Sequence, residues 1–196
     1  MRILYLHGLA SSKEANTAKV LSTLLPNDQI KAIDIPMRPY EALMAIFRAM
    51  CEFHPHMLIG NSLGGFYAMF FEGPLKVLIN PALRPDEELA SILGGYGEFP
   101  YLKPRDDGIG TFTYNKGDEE DLMKLRKAFE ESIKDIDHVS QTYAIFAAYD
   151  EVVHDRDYFN RVFDPKHATT FIGKHRLSDG NIEHILVPLI DGLRVG

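Results

Sequence analysis

The sequence predicts an α/β fold, in which a mostly parallel sheet is covered by helices on both faces. Short apolar runs alternate with longer segments of helical periodicity along almost the whole chain of 196 residues. The apolar runs are continuous rather than alternating with polar residues, which is typical of strands buried on both faces. No internal repeat, low-complexity tract or linker interrupts this order. We therefore expect a single domain over residues 1–196.

The predicted strands are short runs rich in aliphatic and β-branched residues, and most of them end at glycine, proline or asparagine. In chain order, they cover residues 2–7, 29–35, 56–60, 75–79, 142–148 and 168–172.

The predicted helices lie between the strands and cover residues 14–25, 40–53, 63–71, 86–93, 118–134, 155–163 and 181–193. In the second helix, the positions Leu43, Ile46, Phe47 and Met50 follow the i, i+3, i+4, i+7 pattern of one helix face. The last helix has a candidate cap near Asp179.

Residues 94–117 show neither helical nor strand periodicity. This segment holds six glycines and two prolines, and its aromatic residues are Tyr96, Phe99, Tyr101, Phe112 and Tyr114. Loops of this length in a compact domain are usually functional. We expect a short lid-like insertion; a surface loop that packs its own aromatics is the alternative.

Composition narrows the class of protein. The hydrophobic fraction is 45% and the charged fraction 25%, as in ordinary globular proteins. The net charge of −7 argues against nonspecific nucleic-acid binding, and the single cysteine, Cys51, excludes an intramolecular disulfide. No apolar run is long enough for a membrane span, and the first residues read as a strand rather than a signal peptide. A cytoplasmic location is the default expectation.

A Gly-x-Ser-x-Gly motif, Gly60 to Gly64 with Ser62 at its centre, joins a predicted strand to a predicted helix. This is the context of a nucleophile elbow, in which a tight turn exposes the serine hydroxyl at the edge of the sheet. Glycine at both ends of the motif lets the backbone segments approach closely. A glycine-rich turn with an ordinary serine cap is the alternative.

A serine nucleophile needs a base, and the base needs an acid that orients it. Asp150 follows the strand 142–148, and His175 follows the strand 168–172. Both candidates lie after predicted parallel strands, where open α/β sheets place their sites. Their order after Ser62 is serine, acid, histidine.

The chain resembles the α/β-hydrolase superfamily, and more closely the small bacterial esterases of the YqiA type. The resemblance spans nearly the whole chain and rests on five groups of residues: Tyr5-Leu6-His7-Gly8 with Ser11-Ser12, Ser62-Leu63-Gly64-Gly65-Phe66-Tyr67-Ala68, Asn80-Pro81-Ala82 with Arg84-Pro85, Asp150-Glu151-Val152, and Gly173-Lys174-His175. It departs from such enzymes at Tyr149 and Ile172, where glycine is often found.

The resemblance implies an α/β-hydrolase fold with Ser62 as nucleophile, Asp150 as orienting acid and His175 as general base. The oxyanion hole would then be formed by the backbone N–H groups of Leu9 and Leu63. The expected activity is hydrolysis of carboxylic esters or acyl-thioesters through an acyl-enzyme on Ser62, without a cofactor or metal. Aromatic residues in the insertion favour an apolar acyl group.

Several alternatives stay open. Asp155 is the rival acid, although Asp150 better fits the Asp-x-x-Val pattern of the superfamily. His184 is the rival base, although it falls inside a predicted helix, where histidine more often packs or caps. His54 and His56 lack a second cluster for a metal site. At the level of function, the alternatives are a hydrolase-fold binding protein without catalysis and an interaction protein built on the helix 118–134.

Overall fold

The computed structural model describes residues 1–133 and 141–194. Eight strands are present in this part of the chain: β1 (Arg2–Leu6), β2 (Gln29–Ala32), β3 (Met57–Asn61), β4 (Leu75–Ile79), β5 (Gly97–Pro100), β6 (Thr111–Tyr114), β7 (Thr142–Ala147) and β8 (Ala168–Phe171).

The α-helices of the same residues are α1 (Asn16–Leu24), α2 (Pro39–Phe53), α3 (Leu63–Ala68), α4 (Pro85–Leu93), α5 (Lys116–Ser132), α6 (Arg156–Val162), α7 (Asp179–Asn181) and α8 (Val187–Leu193). A 3₁₀ turn at Pro165–His167 precedes β8, and a π-helical turn at Ile182–Leu186 joins α7 to α8. None of the described helices is long and apolar enough to cross a membrane.

Six strands form one parallel sheet in the order β2-β1-β3-β4-β7-β8. The chain moves outward from β1 to β2 and then returns to β3 on the other side of β1. The strand order therefore reverses between β1 and β3, and the loops that follow these two strands lead to opposite sides. Open α/β sheets form their binding crevices at such a point. The loop after β1 carries Gly8 and Leu9, and the turn after β3 carries Ser62.

The sheet is buried on both faces, as the continuous apolar runs predict. Successive residues of β1 point to opposite sides: Leu4 packs with α2 and α3, whereas Ile3 and Tyr5 pack with α1 and the closing helix. The core thus consists of two apolar layers separated by the sheet, and the carboxyl ends of the strands stay free to carry loops.

The prediction of an irregular segment at 94–117 is wrong in one respect. β5 and β6 form an antiparallel pair in which Phe99 lies opposite Phe112. The run Thr111-Phe112-Thr113-Tyr114 alternates exposed and buried side chains, which is the period-2 signal of a strand. Composition alone does not reveal this strand, because glycines and prolines surround it.

Two further differences concern helices, and one predicted helix end cannot be compared. Phe47 in α2 is 53% exposed and does not share the buried face predicted for it. Lys134, the predicted end of the fifth helix, lies outside the described residues. The closing helix begins at Asp179 with Ser178 as its cap, and its π-helical turn comes just before Pro188, whose missing N–H interrupts the regular hydrogen-bond ladder.

The turn between β3 and α3 is too tight for side chains at its two glycines. A Cβ atom at Gly64 would lie 2.2 Å from the carbonyl oxygen of Leu6 and 2.6 Å from that of His7. At Gly60, it would lie 2.6 Å from the carbonyl oxygen of Gly64. All three neighbours are backbone atoms, so only glycine allows α3 to start this close to β1.

We expect Gly64→Ala to lower the free energy of unfolding by about 3 kcal/mol or more, because the added methyl group must displace β1. Urea denaturation followed by circular dichroism measures the loss. Gly192→Ala in α8 is the matched control: nothing lies within 4 Å of its added Cβ, so stability should hold or rise slightly. Equal stability of the two variants would contradict this account of the turn.

Candidate active site

Ser62 occupies a strained position between β3 and α3. Its backbone dihedral angles are φ 52° and ψ −120°, in a region that residues other than glycine rarely adopt. Its amide donates to the carbonyl of Ile79 (2.9 Å), and its carbonyl accepts from Gly65 (2.8 Å) and Ala82 (3.2 Å). The Ser62 side chain makes no capping hydrogen bond to α3. The alternative of an ordinary serine cap is therefore wrong.

Asp150 and His175 form a hydrogen-bonded pair in the loops after β7 and β8. The Nδ1 atom of His175 lies 2.8 Å from Oδ2 and 3.0 Å from Oδ1 of Asp150. Burial opposes ionisation of Asp150, but the hydrogen bonds from His175 and from the Val153 and Val152 amides outweigh it, so the pKa of this carboxyl lies below its usual range. A carboxylate can only accept, so Nδ1 carries the proton and Nε2 is available as a base.

The rival residues lie in different surroundings. The carboxylate of Asp155 is buried and accepts hydrogen bonds from the Leu83 amide (2.6 Å), the Arg84 amide (3.1 Å) and Arg84 Nε (2.7 Å). It fixes the loop after β4 to the start of α6. The side chain of His184 is 73% exposed in the π-helical turn. Neither makes the histidine–carboxylate hydrogen bond seen between His175 and Asp150.

The loop after β1 is fixed by His7. The amide of Ile35 donates to Nε2 of His7 (3.0 Å), so Nδ1 carries the proton and donates to the carbonyl of Gly8 (2.8 Å). Burial lowers the pKa of His7 to about 4, so the ring is neutral at physiological pH. Within the described residues, the N–H groups of Leu9 and Leu63 donate no hydrogen bond, and both residues border the same cavity as Ser62.

Asn80 connects the separate loops, and sequence reasoning gave it no role. Its Oδ1 accepts from the Ala147 amide (2.7 Å), and its Nδ2 donates to the carbonyl of His175 (2.8 Å). Asn80 is buried and has a φ of 42°, which asparagine tolerates better than most residues. In the sequence, an asparagine directly after a strand and before a proline indicates a turn with unusual backbone angles. It does not indicate which residues the asparagine side chain bonds.

Several of these residues border one cavity of about 830 Å³, a size typical of sites for small molecules. Ser62 and His175 both border it, together with the loop residues Leu9 and Leu63. Its apolar wall is contributed by α4 and the β5–β6 hairpin, through Leu89, Ile92, Leu93, Phe99, Leu102 and Phe112. The structure thus places Ser62 and His175 at one cavity with an apolar wall, and within the described residues no hydrogen bond joins their two side chains.

The hairpin aromatics also contact one another: the rings of Phe99 and Phe112 lie 5.7 Å apart, and those of Tyr101 and Phe112 lie 5.0 Å apart. The insertion therefore packs its own aromatics and lines the cavity at the same time. The residues that depart from the resemblance, Tyr149 and Ile172, are 67% and 81% exposed, so their side chains are accommodated in solvent.

The parallel sheet, the strained turn at Ser62 and the loops after β7 and β8 define an α/β-hydrolase fold, as the sequence resemblance predicts. Residues 2–164 match the model of the Uncharacterised protein family UPF0227. The chain belongs to this family.

Solved structures with this fold include three whose sequences are only 13–17% identical to the chain. The monoacylglycerol lipase of Paleococcus ferrophilus has a TM-score of 0.63 and 17% identity, covering 98% of this chain and 93% of its own. A structure from work on the metagenome-derived lipolytic enzymes LipS and LipT has a TM-score of 0.69 and 16% identity, covering 100% and 94%. The thioesterase domain of the curacin biosynthetic pathway has a TM-score of 0.57 and 13% identity, covering 100% and 91%. No curated protein sequence matches the chain.

The buried neutral ring of His7 makes stability depend on pH. In the unfolded chain, a histidine binds a proton below about pH 6.5, whereas His7 in the fold stays neutral down to about pH 4. The unfolded state therefore binds more protons in this window, and stability falls as pH falls. We expect His7 to account for a loss of about 3 kcal/mol between pH 7.5 and pH 4.

Urea denaturation at a series of pH values measures this loss. His7→Gln should flatten the pH slope between 6.5 and 4, even if the variant is less stable at every pH. His184→Gln removes an exposed histidine instead and should leave the slope in place. An equal slope in His7→Gln and the unsubstituted protein would show that His7 is not the cause of the pH dependence.

Proposed function

We propose that the protein is a serine hydrolase that cleaves carboxylic esters or acyl-thioesters, with Ser62 as nucleophile, His175 as general base and Asp150 as orienting acid. The observation that carries the proposal is the Asp150–His175 pair at the cavity that Ser62 borders, with Ser62 on a strained turn that leaves its side chain free of the helix. Strained backbone at a buried serine has a cost, and such strain is concentrated at functional sites.

The proposed reaction has two acyl-transfer steps. His175 Nε2 takes the proton of Ser62 as the hydroxyl oxygen attacks the acyl carbonyl, and Asp150 stabilises the imidazolium that forms. Collapse of the tetrahedral intermediate releases the alcohol or thiol, which takes the proton from His175, and leaves the acyl group on Ser62. Water, deprotonated by His175, then attacks the acyl-enzyme; the second collapse releases the carboxylic acid and returns the proton to Ser62.

The oxyanion of each tetrahedral intermediate would be held by the amides of Leu9 and Leu63. Their lack of other hydrogen-bond acceptors in the described part of the chain supports this role, as does their position at the cavity. Two fixed amides need little reorganisation when negative charge develops on the substrate oxygen. One such donor typically raises kcat by about 10²–10³-fold. The neutral ring of His7 would hold the first amide in place through the Gly8 carbonyl.

The apolar residues of the cavity wall favour a substrate with an apolar acyl group. Leu89, Phe99 and Phe112 bring aliphatic and aromatic surface from α4 and the hairpin to the same cavity as Ser62. Burial of each methylene group contributes about 0.8 kcal/mol, so an acyl chain that enters this chamber gains binding energy with its length.

Ser62→Ala should reduce hydrolysis of p-nitrophenyl butyrate by at least roughly 10⁴-fold without loss of the fold, because the nucleophile is removed. A fluorophosphonate probe should label the unsubstituted protein on Ser62 and should not label this variant. Ser91→Ala, on the exposed side of α4, is the control and should retain both activity and labelling. A folded, unsubstituted protein that neither turns over esters nor reacts with the probe would favour a hydrolase-fold binding protein without catalysis.

Ile92→Asp should lower kcat/KM for an octanoyl ester about tenfold relative to an acetyl ester, because a charge at the cavity wall opposes entry of a long apolar chain. Ile172→Asp places the same charge at an 81% exposed residue that does not border the cavity, and should leave this ratio unchanged. A panel of p-nitrophenyl esters and acyl-thioesters measures the ratio and compares the leaving groups. Flat activity from acetyl to octanoyl in the unsubstituted protein would contradict an apolar acyl site.

A further inference from the structure

Helix α2 has apolar side chains on its outer face as well as on its inner face. Ala42, Ile46 and Ala49 are buried against the sheet. On the opposite side, four exposed residues form an outer stripe: Tyr40, Met44, Phe47 and Cys51. The first three are 49%, 51% and 53% exposed, although they are large apolar residues.

The outer stripe has the spacing of a helix-pairing seam. Its members are separated by four, three and four residues, which is the a/d spacing of a heptad repeat. A helix whose outer face contacts only water needs no continuous apolar stripe. Exposed apolar residues that were scattered at random would not follow the heptad spacing. With a rise of 1.5 Å per residue, the stripe is roughly 17 Å long.

Charged residues flank the stripe in a specific order. Glu41 follows Tyr40, and Arg48 follows Phe47, so both lie on the same side of the seam, seven residues apart. Both are exposed, and neither forms an ion pair with another residue in the described ranges. Glu52, which follows Cys51 on the same side, pairs with Lys31 of its own chain (3.5 Å). The unpaired charges beside the seam are thus an acid near its first layer and a base near its third.

We propose that the outer stripe of α2 pairs with α2 of a second copy of this chain, antiparallel and across a two-fold axis. In this arrangement, Tyr40 faces Cys51 of the second copy and Met44 faces its Phe47, and each contact occurs twice by symmetry. Glu41 then lies beside Arg48 of the second copy, again twice. Parallel pairing would place these charges beside the apolar residues Leu43 and Met50 instead.

The charge order favours a second copy over other occupants. An anionic lipid surface or a nucleic acid would require an excess of positive charge, whereas the unpaired charges beside the seam are one acid and one base and the chain has a net charge of −7. A two-fold axis makes this pattern self-complementary. Because a pair of helices this short buries little surface, we expect a weak dimer.

Cross-linking tests the antiparallel register. Tyr40→Cys places a thiol opposite the native Cys51 of the second copy, and mild oxidation should convert the variant to a covalent dimer on a non-reducing gel. Within one chain, positions 40 and 51 are too far apart along the helix for a disulfide. The unsubstituted protein and the double variant Tyr40→Cys/Cys51→Ser should stay monomeric on the same gel, because no two thiols face each other.

A charge swap tests the second copy independently of cysteine chemistry. In sedimentation equilibrium over a series of protein concentrations, Glu41→Arg should raise the dimer dissociation constant about tenfold, because it places like charges together twice. The double variant Glu41→Arg/Arg48→Glu should restore dimerisation. Circular dichroism checks that each variant is folded.

Three results would overturn the proposal. The first is an unsubstituted protein that remains monomeric at every concentration. The second is a dimer whose dissociation constant is insensitive to Glu41→Arg, or whose cross-linking in Tyr40→Cys does not depend on Cys51. The third is co-sedimentation of the monomer with phosphatidylglycerol vesicles that is lost in Phe47→Glu, which would assign the outer stripe to a lipid surface.

Discussion

The side-chain amide of Asn80 is the contact on which the arrangement of the candidate site depends. It stands at the end of β4, between the turn that carries Ser62 and the two loops that carry Asp150 and His175. It accepts from the partly buried Ala147 amide at the end of β7 and donates to the buried His175 carbonyl in the loop after β8. No apolar side chain of similar size could do both. One short side chain thereby supplements the direct bond between the two loops, from the Tyr149 amide to the Gly173 carbonyl (3.1 Å).

Close backbone approach sets the other side of the site. Glycine at position 64 lets α3 begin against the carbonyls of Leu6 and His7, and this brings Leu63 near the loop that contains Leu9. The neutral ring of His7 then fixes that loop through two hydrogen bonds, to Ile35 and Gly8. Rigid main-chain geometry of this kind is what amide donors need if they are to act on a developing charge.

Much of this architecture could be predicted from the sequence, because it is encoded by local pattern. The apolar runs predicted the six parallel strands. Position after a strand, together with the family resemblance, singled out Asp150 and His175, which the structure brings into contact. Long-range contacts could not be read in this way. The role of Asn80 depends on partners 67 and 95 residues away, and the exposure of Phe47 depends on which face of α2 meets the sheet. The hairpin was missed because glycine and proline dominated the composition around its four-residue strands.

The β5–β6 hairpin and the loop after β1 are joined by direct bonds: the amide of Leu102 donates to the carbonyl of Ala10 (2.7 Å), and Asp106 pairs with Lys13. Arg105 adds a hydrogen bond to the carbonyl of Ile35, whose own amide binds His7. The hairpin that lines the cavity and the loop that carries Leu9 are therefore joined by direct contacts. A displacement of the hairpin would therefore break contacts that hold the loop of Leu9 in place.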